Sequence, residues 1–542
     1  MRKELSLVLG DEKSIYIIIL IYTVFIGIAS VSIPISIQAL VNIIPSTAMY
    51  YPLVLLSFVL LILLGISSVV YGMQKYVIEL FKRRIFVRIT SLMVTRALYF
   101  EKKTMQSTNS EQIFDRFFEI PNIQSSLPNL LVGIFTAVVQ MVSAIIICSF
   151  YHPILLLFNI ILVLIIYGIL RYHGSVAIKT AIKESTAKYE TASWIAEVAR
   201  KYFYLKSAKA REYVSKKANN IVANYITARK KHFRYFFTQI VGLLILYAFG
   251  NVLLLFVCGA LVLEEKLTLG QFVATEVFFS YTFGHVLIFG NYLESFYKLV
   301  ASCNKIAMFY KIPLEDHVNK DSSFEMNNIN VSNVKIPSIP SLVNLHIDLD
   351  GSYNIFMNFH ERTKGFLLAL IMGWEEEYHG KVQIDGKTFN EINLDKYRDK
   401  IAFIDSSNIL CTNIKEYVVS CNPTVSHSKF ESVIKLVGLY DVIQRLPEKE
   451  HTEIVSSKYP LNKEEVIKLK LAKALIEENR LIIFDYPILD NILRENKQIL
   501  EHITNDPTLT IIHFTENNAL LNNANNFYRF DLQVQSIIKQ HV

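Results

Sequence analysis

The chain has 542 residues, 52% of them hydrophobic and only 19% charged, with a mean hydropathy of +0.32 and a formal net charge of +7. That length exceeds one ordinary domain, and that hydropathy is high for a protein wholly in water. Five cysteines (Cys148, Cys258, Cys303, Cys411 and Cys421) show neither CxxC nor Cys/His spacing. The set supports no disulfide framework and no metal site, and suits core thiols in a reducing compartment.

A bilayer-crossing helix takes about 20 apolar residues. Six stretches meet that length, at about 15–37, 52–73, 129–150, 153–171, 236–263 and 268–292. The first follows the charged segment MRKELSLVLGDEK and is too long for the core of a cleaved leader, so it reads as a retained helix. Nine Lys or Arg fall between 75 and 124 and fifteen between 171 and 235, whereas the loops near 46–50, 151–152 and 264–266 hold one, Lys266. By the positive-inside rule both termini and both basic segments lie in the cytoplasm. The positive balance is thereby explained without nucleic acid.

The basic segments read as helical continuations of the membrane helices. NSEQIFDRFFEIPNIQ (109–124) opens on an N-cap-like Asn109 or Ser110 and carries apolar residues at helical spacing, and WIAEVARKYFYLKSAKAREY (194–213) is amphipathic in the same way. Most of their charges suit a solvated face. The apolar sides suit docking to a soluble domain. In the sixth stretch Glu276, Ser280, Phe283, Leu287, Asn291 and Glu294 share one side at 100° per residue. An ionised carboxylate in hydrocarbon is costly. Glu276 therefore faces a translocation path or dimer seam within the membrane domain, or else snorkels to the outer interface.

Composition changes near residue 311, where KIPLEDHVNKDSSFEMNN (311–328) reads as a polar linker closing a membrane domain of residues 1–310. Over 329–542 short apolar runs (NIFM, KVQID, KIAFID, RLIIFD, LTIIHF) alternate with helical stretches, which predicts an α/β domain. Residues 358–365, NFHERTKG, lie between two apolar runs. An apolar run, a loop ending in lysine and then a helix is the layout of a phosphate-binding loop, yet no glycine precedes the lysine. Such a loop needs glycines because successive backbone N–H groups must turn inward in conformations costly for side chains.

Six membrane helices, two long basic loops and a C-terminal α/β domain resemble a bacterial ABC exporter half-transporter over nearly the whole chain. The segments 109–124 and 194–213 resemble its coupling segments, and LTLGQFVATE (267–276) resembles the start of the sixth helix in exporters of peptides and toxins. The family binds ATP and magnesium, and the resemblance sets each motif position beside a departure. In the phosphate loop Asn358 and Thr363 stand at the outer glycine positions, Glu361 at the inner one, Lys364 at the phosphate lysine and Gly365 at the magnesium hydroxyl. Ser406 stands for the glutamine that joins metal and water. LNKEE (461–465) replaces the signature LSGGQ, with Asn462, Lys463 and Glu464 at its serine and glycines. Asp485 keeps the magnesium carboxylate. Tyr486 replaces the general-base glutamate, and a phenol of pKa about 10 is a poor base at neutral pH. YPILD is two residues shorter than the matching family segment, and Thr515 falls at the switch histidine, with His513 two residues earlier.

The resemblance thus implies a transport subunit with no ATP or magnesium site of its own, no resident metal and little or no ATPase activity. Its partner would be an ATP-hydrolysing half-transporter, in a heterodimer rather than a homodimer. A peptide, protein or other amphipathic solute would be the cargo, with a periplasmic adaptor as a further partner. The alternative is an ATP-independent membrane scaffold or regulator on the same fold.

Overall fold

Five of the six apolar stretches of the N-terminal 310 residues become helices longer than the stretch itself, and the first becomes two. The computed structural model describes residues 10, 13–43, 50–102, 105, 113–315, 324–335, 342–375, 378–407, 409–419, 424–454, 460–531 and 536–541. The chain divides into two units, one within residues 1–314 and the other from Glu315 onward together with residues 101–103.

The first unit holds helices α1 (Lys13–Ser30), α2 (Ser32–Ile43), α3 (Tyr51–Ala97), α4 (Ile120–Tyr151), α5 (Pro153–Arg200), α6 (Ala208–Leu263) and α7 (Leu269–Tyr310). Together they give six spans long and apolar enough to cross a membrane, of 30, 47, 37, 48, 56 and 42 residues, α1 and α2 counting as one and a short 3-10 turn at Asp115–Glu119 leading into α4. A 47-residue helix measures about 70 Å at 1.5 Å per residue, more than twice a hydrocarbon core of about 30 Å. The surplus carries the basic segments. Apolar side chains on α3 such as Leu53, Phe58, Leu61 and Val69 are exposed. In a bilayer such a face meets lipid or a partner, where no water penalises it.

Two expectations are corrected here. The first stretch is not one helix, for α1 ends at Ser30 and α2 begins at Ser32. Nor is 194–213 one helix, because α5 stops at Arg200, a turn follows, and α6 starts at Ala208 with Ser207 accepting from the Ala210 amide at 3.2 Å. Tyr202, Phe203 and Tyr204 follow one another in that turn, all exposed, so no single helix face gathers them. In 109–124 the proposed cap residues Asn109 and Ser110 lie outside the described residues; from Ile113 the segment is helical.

The second unit carries two sheets. Strands β1 (Asn328–Lys335), β2 (Leu342–Asp348), β3 (Tyr353–Met357), β4 (Lys381–Ile384), β5 (Lys387–Thr388), β6 (Ile401–Ile404), β7 (Leu481–Phe484), β8 (Thr510–Phe514), β9 (Asn526–Asp531) and β10 (Ser536–His541) are joined by helices, of which Glu361–Ile371 (α8), Lys463–Ile476 (α9) and Pro487–Glu495 (α10) bear on the site. The small sheet is antiparallel, ordered β2-β1-β4-β5, and the large one is ordered β10-β9-β3-β8-β7-β6, parallel except for its β9–β10 edge pair. The five runs read from sequence are all strands, though KVQI joins the small sheet. Strands β3, β7 and β8 are buried along their length, as central parallel strands are, and one large apolar core packs them against α9 and α10. The linker begins later than residue 311. Lys311–Leu314 stays with the helical unit, where Arg96 Nη2 donates to the Tyr310 carbonyl at 2.7 Å and Phe100 pairs with Leu314.

Candidate functional site

The carboxyl ends of β3, β6 and β7 set out the site. After β3 the chain turns in three residues, Asn358–His360, and α8 begins at Glu361, so the lysine is not at the end of a loop as expected but inside the first turn of the helix. Only Asn358 takes the left-handed conformation, at φ 61°, and its amide N–H donates to Glu516 Oε1 at 2.9 Å. His360 caps α8 by accepting from the Arg362 amide, and the Lys364 amide donates to the His360 carbonyl at 2.9 Å. An acidic first residue, Glu361, suits the positive end of the helix dipole. The helix therefore closes early, and an amide that a phosphate loop would turn toward its ligand is used within the chain.

The Lys364 ammonium is occupied as well. It lies 2.7 Å from Asp485 Oδ1 and 2.8 Å from Glu361 Oε1, with 16% of its side chain exposed and 19% of that of Asp485. Burial works against its charge, but the bonds to Asp485 and Glu361 outweigh it and hold the ammonium above its ordinary range. Burial lifts the Asp485 carboxyl above its ordinary range in spite of Lys364, and the Glu361 and Asp405 charges add to the lift. Thr363, at a glycine position, is buried, whereas a Cβ on Gly365 would meet nothing within 4 Å, so no packing forbids a hydroxyl there.

The other positions are built in the same way. Ser406 is exposed beside Asp405, whose Oδ1 lies 3.0 Å from Lys470 Nζ. Lys470 was not singled out in the sequence. It is 7% exposed, and donates to the carbonyls of Asp405 and Ser407 at 2.9 and 2.8 Å. Burial raises the Asp405 carboxyl, but the Ser407 and Lys470 bonds prevail and hold it below the usual carboxylate range. At the start of α9 Asn462 and Glu465 form a capping box, each side chain accepting from the other's amide, at 2.9 and 2.7 Å. Lys463 is the first helical residue, and Glu464 pairs with Lys468 at 2.7 Å. Such a helix start offers amides and positive dipole to an anion, and here Glu465 takes the Asn462 amide and Asn462 the Glu465 amide.

Tyr486 stands at the N-cap position of α10 without a side-chain cap bond, is followed by Pro487, and packs partly buried against the unit's core. Thr515 Oγ1 donates to Asp490 Oδ2 at 2.6 Å. His513 is wholly buried within β8, its Nδ1 2.7 Å from the Tyr353 hydroxyl and its Nε2 2.8 Å from Asp490 Oδ1, so it sits in the core rather than at a surface.

In the helical unit the stripe is not uniform. Glu276 is half-buried and Ser280, Asn291 and Glu294 are exposed, but Phe283 is enclosed by α6 at Gly250, where a Cβ would come within 2.7 Å of its ring. Glu294 pairs with Lys298 at 2.7 Å beside a cavity of about 410 Å³ that Glu119, Glu184, Lys188 and Arg229 also line. Glu119 is 2% exposed and accepts from Lys188 at 2.9 Å, Tyr189 at 2.8 Å, Asn122 at 2.8 Å and Ser302. It ties α4, α5 and α7 together.

Comparison with known proteins agrees with this layout. A family model described as the ABC transporter transmembrane region matches residues 16–286, half of the chain, and one described as ABC transporter matches residues 364–489. A leukotoxin export ATP-binding protein of Aggregatibacter actinomycetemcomitans is 24% identical over 233 residues, 42% of this chain and 33% of that protein. A probable ABC transporter ATP-binding/permease protein of Haemophilus influenzae is 21% identical over 243 residues, 44% of each chain. The matches thus span less than half the length of these curated relatives. A solved structure of a bacterial Atm1-family ABC exporter with ATP bound superposes with a TM-score of 0.84 at 15% identity, over 97% of this chain and 95% of that one.

Proposed function

We propose, from the premise that the chain belongs to the ABC transporter family and has the fold of an ABC exporter half, that it is an export subunit whose own nucleotide site is degenerate and that works beside an ATP-hydrolysing half-transporter. The observation that carries this reading is the self-occupied site. Lys364 is held by Asp485 and Glu361, its amide is spent inside α8, and the start of α9 is closed by Asn462 and Glu465. These residues do not fit a magnesium nucleotide. An incoming phosphate would meet Glu361, and two unit charges about 4 Å apart repel by about 4 kcal/mol at an effective dielectric near 20. Gly365 offers no hydroxyl to a metal and Tyr486 no carboxylate to water.

Six spans supply half a pathway, so the chain works as a dimer in the membrane. A homodimer would join two such sites and hold no internal source of energy, which favours an unlike partner with an intact phosphate loop. The partner's nucleotide would face LNKEE here, so turnover should be slow, or the nucleotide should serve to clamp the pair. The asymmetry of Lys and Arg between loops favours a bacterial inner membrane with both termini cytoplasmic. Relatives named for leukotoxin export and alpha-hemolysin translocation make a peptide or protein the favoured cargo, with a periplasmic adaptor alongside. Glu276, Ser280, Asn291 and Glu294 are the candidate path residues.

The weak signature also favours a second reading, an ATP-independent scaffold or regulator. Native mass spectrometry of the complex taken from its own membrane in mild detergent separates the two. A one-to-one assembly with a second half-transporter is expected. A stable homodimer that moves cargo without another ATPase would overturn the heterodimer.

A further inference from the structure

We propose that His285 is a proton-binding site within the membrane, linked through Gln140 to a break in the first spanning helix. The site joins three helices. His285 Nε2 on α7 lies 2.5 Å from Gln140 Oε1 on α4, Gln140 Nε2 donates to Ser30 Oγ on α1 at 2.9 Å, and Ser30 Oγ donates to the Gly27 carbonyl at 2.6 Å. With the Gln140 amide nitrogen given to Ser30, its oxygen faces His285, and Nε2 must carry the ring proton. Nδ1 is then a lone pair. It is buried, with no partner among the described residues.

The break accounts for the other end of the chain of bonds. The Val31 amide bonds to the Ile28 carbonyl at 3.0 Å, one residue short of the helical pattern, which frees the Gly27 carbonyl for Ser30. Ser32 similarly donates to the Ala29 carbonyl at 2.6 Å. Gly27 lets α1 approach α4 beside Gln140, since a Cβ there would come within 2.6 Å of Val139. Counted at 1.5 Å per residue from Leu269, Tyr151 and Ile43, the three groups lie about 24, 17 and 20 Å from the short-loop ends of their helices, well inside a hydrocarbon layer of about 30 Å. An ionisable ring and a discontinuous helix at one depth are how membrane proteins build coupling sites.

The occupant is a proton because Nδ1 is enclosed and lacks only a donor. The helices packed against α7 carry Cys148 and Tyr151 on α4, Tyr167 on α5 and Tyr247 and Cys258 on α6 as their titratable groups at membrane depth; α2 carries none, and α1 beside it has Tyr16 and Tyr22. All are thiols or phenols. On α7 itself are Tyr281, Tyr292, Glu276 and Glu294, the two acids each nine residues away and so on the opposite side of the helix. A proton from bulk water adds to the Nδ1 lone pair, with no electron transfer. The ring is then a cation whose Nε2–H bond to Gln140 is charge-assisted, and through Gln140 and Ser30 that change reaches the Gly27 carbonyl at the break. Proton uptake thereby biases the break, whatever the state of the soluble unit.

The test uses the full chain in lipid bilayers with ¹⁵N-histidine, read by solid-state NMR from pH 8 to pH 5, with His285→Gln subtracted to isolate the signal. Gln keeps a donor toward Gln140 and cannot titrate; His285→Asn serves for subtraction if Gln does not fold. One unprotonated nitrogen at pH 8 that becomes protonated by pH 5 is expected. Hydrogen exchange of the 24–36 segment, corrected for intrinsic rate, should change about tenfold over the same range, the equivalent of one unit of proton linkage, and not in His285→Gln. An unprotonated nitrogen that persists to pH 5, a hydrogen-bonded one at pH 8, or a pH response retained in His285→Gln would overturn the proposal.

Discussion

Lys364 and Lys470 occupy comparable places in the soluble unit. Each projects from a helix to a carboxylate at the end of a parallel strand, Lys364 to Asp485 after β7 and Lys470 to Asp405 after β6. By the resemblance read from the sequence, Lys364 falls at the phosphate-lysine position, whereas Lys470 falls at no nucleotide-binding position. Yet Lys470 is the more deeply held, with two carbonyls and a hydroxyl in addition to its carboxylate. The comparison teaches that a surviving motif residue need not keep the motif's role. On the proposed reading of a degenerate site, Lys364 serves as a pin of the same kind as Lys470, only shallower.

Substitutions sharpen that ranking. Lys470→Met should cost about 3 kcal/mol of soluble-unit stability, because it leaves Asp405 and two carbonyls without their cation. Lys364→Met should cost less, about 1 kcal/mol, since Asp485 is already lifted toward its neutral form. Asn462→Ala removes one cap and should cost about 1 kcal/mol. Gly365→Ser should be neutral, given the open space around it. Denaturant unfolding of each variant, followed by a probe in the soluble unit, checks the order; equal losses at Lys364 and Lys470 would break the comparison.

Acid should separate the two carboxylates with opposite signs. Asp405 is depressed, so its contribution is present above its unfolded value near 4 and is lost as pH falls through its lower folded value. Asp485 is raised, so its contribution is complete below its unfolded value and is lost as pH rises through its higher folded value. Between pH 7 and pH 4, Asp485→Asn should therefore flatten a stability gain seen in the parent. Asp405→Asn should be destabilising throughout that window, its cost fading only at lower pH. Thermal melts at pH 7, 5 and 4 test both.

Much of this was legible in the sequence because it is periodic or contiguous. The runs YNIFM, LIIF and TIIHF are buried on both faces and so read as unbroken apolar strands, and the six spans declare themselves by length. What was not legible depends on partners far along the chain. Nothing local to LKLAKAL says that Lys470 meets Asp405, 65 residues earlier. The early start of α8 follows from a His360 cap and an acidic first turn, signals present in NFHERTKG but masked by its likeness to a phosphate loop. The Val31 break shows only as Ser30, Ser32 and Pro34 within an apolar run, and its partner, Gln140, is 110 residues away. Strands β1, β2, β9 and β10 mix polar residues with apolar ones, as strands half-covered by solvent do.

The most direct test of the account is calorimetric titration of MgATP into the purified full-length chain in detergent, beside Gly365→Ser. The account predicts no magnesium-dependent heat up to millimolar nucleotide in either, because restoring one hydroxyl leaves Lys364 with Asp485 and Glu361 and leaves its amide inside α8. Micromolar, magnesium-dependent binding by the parent chain would contradict it.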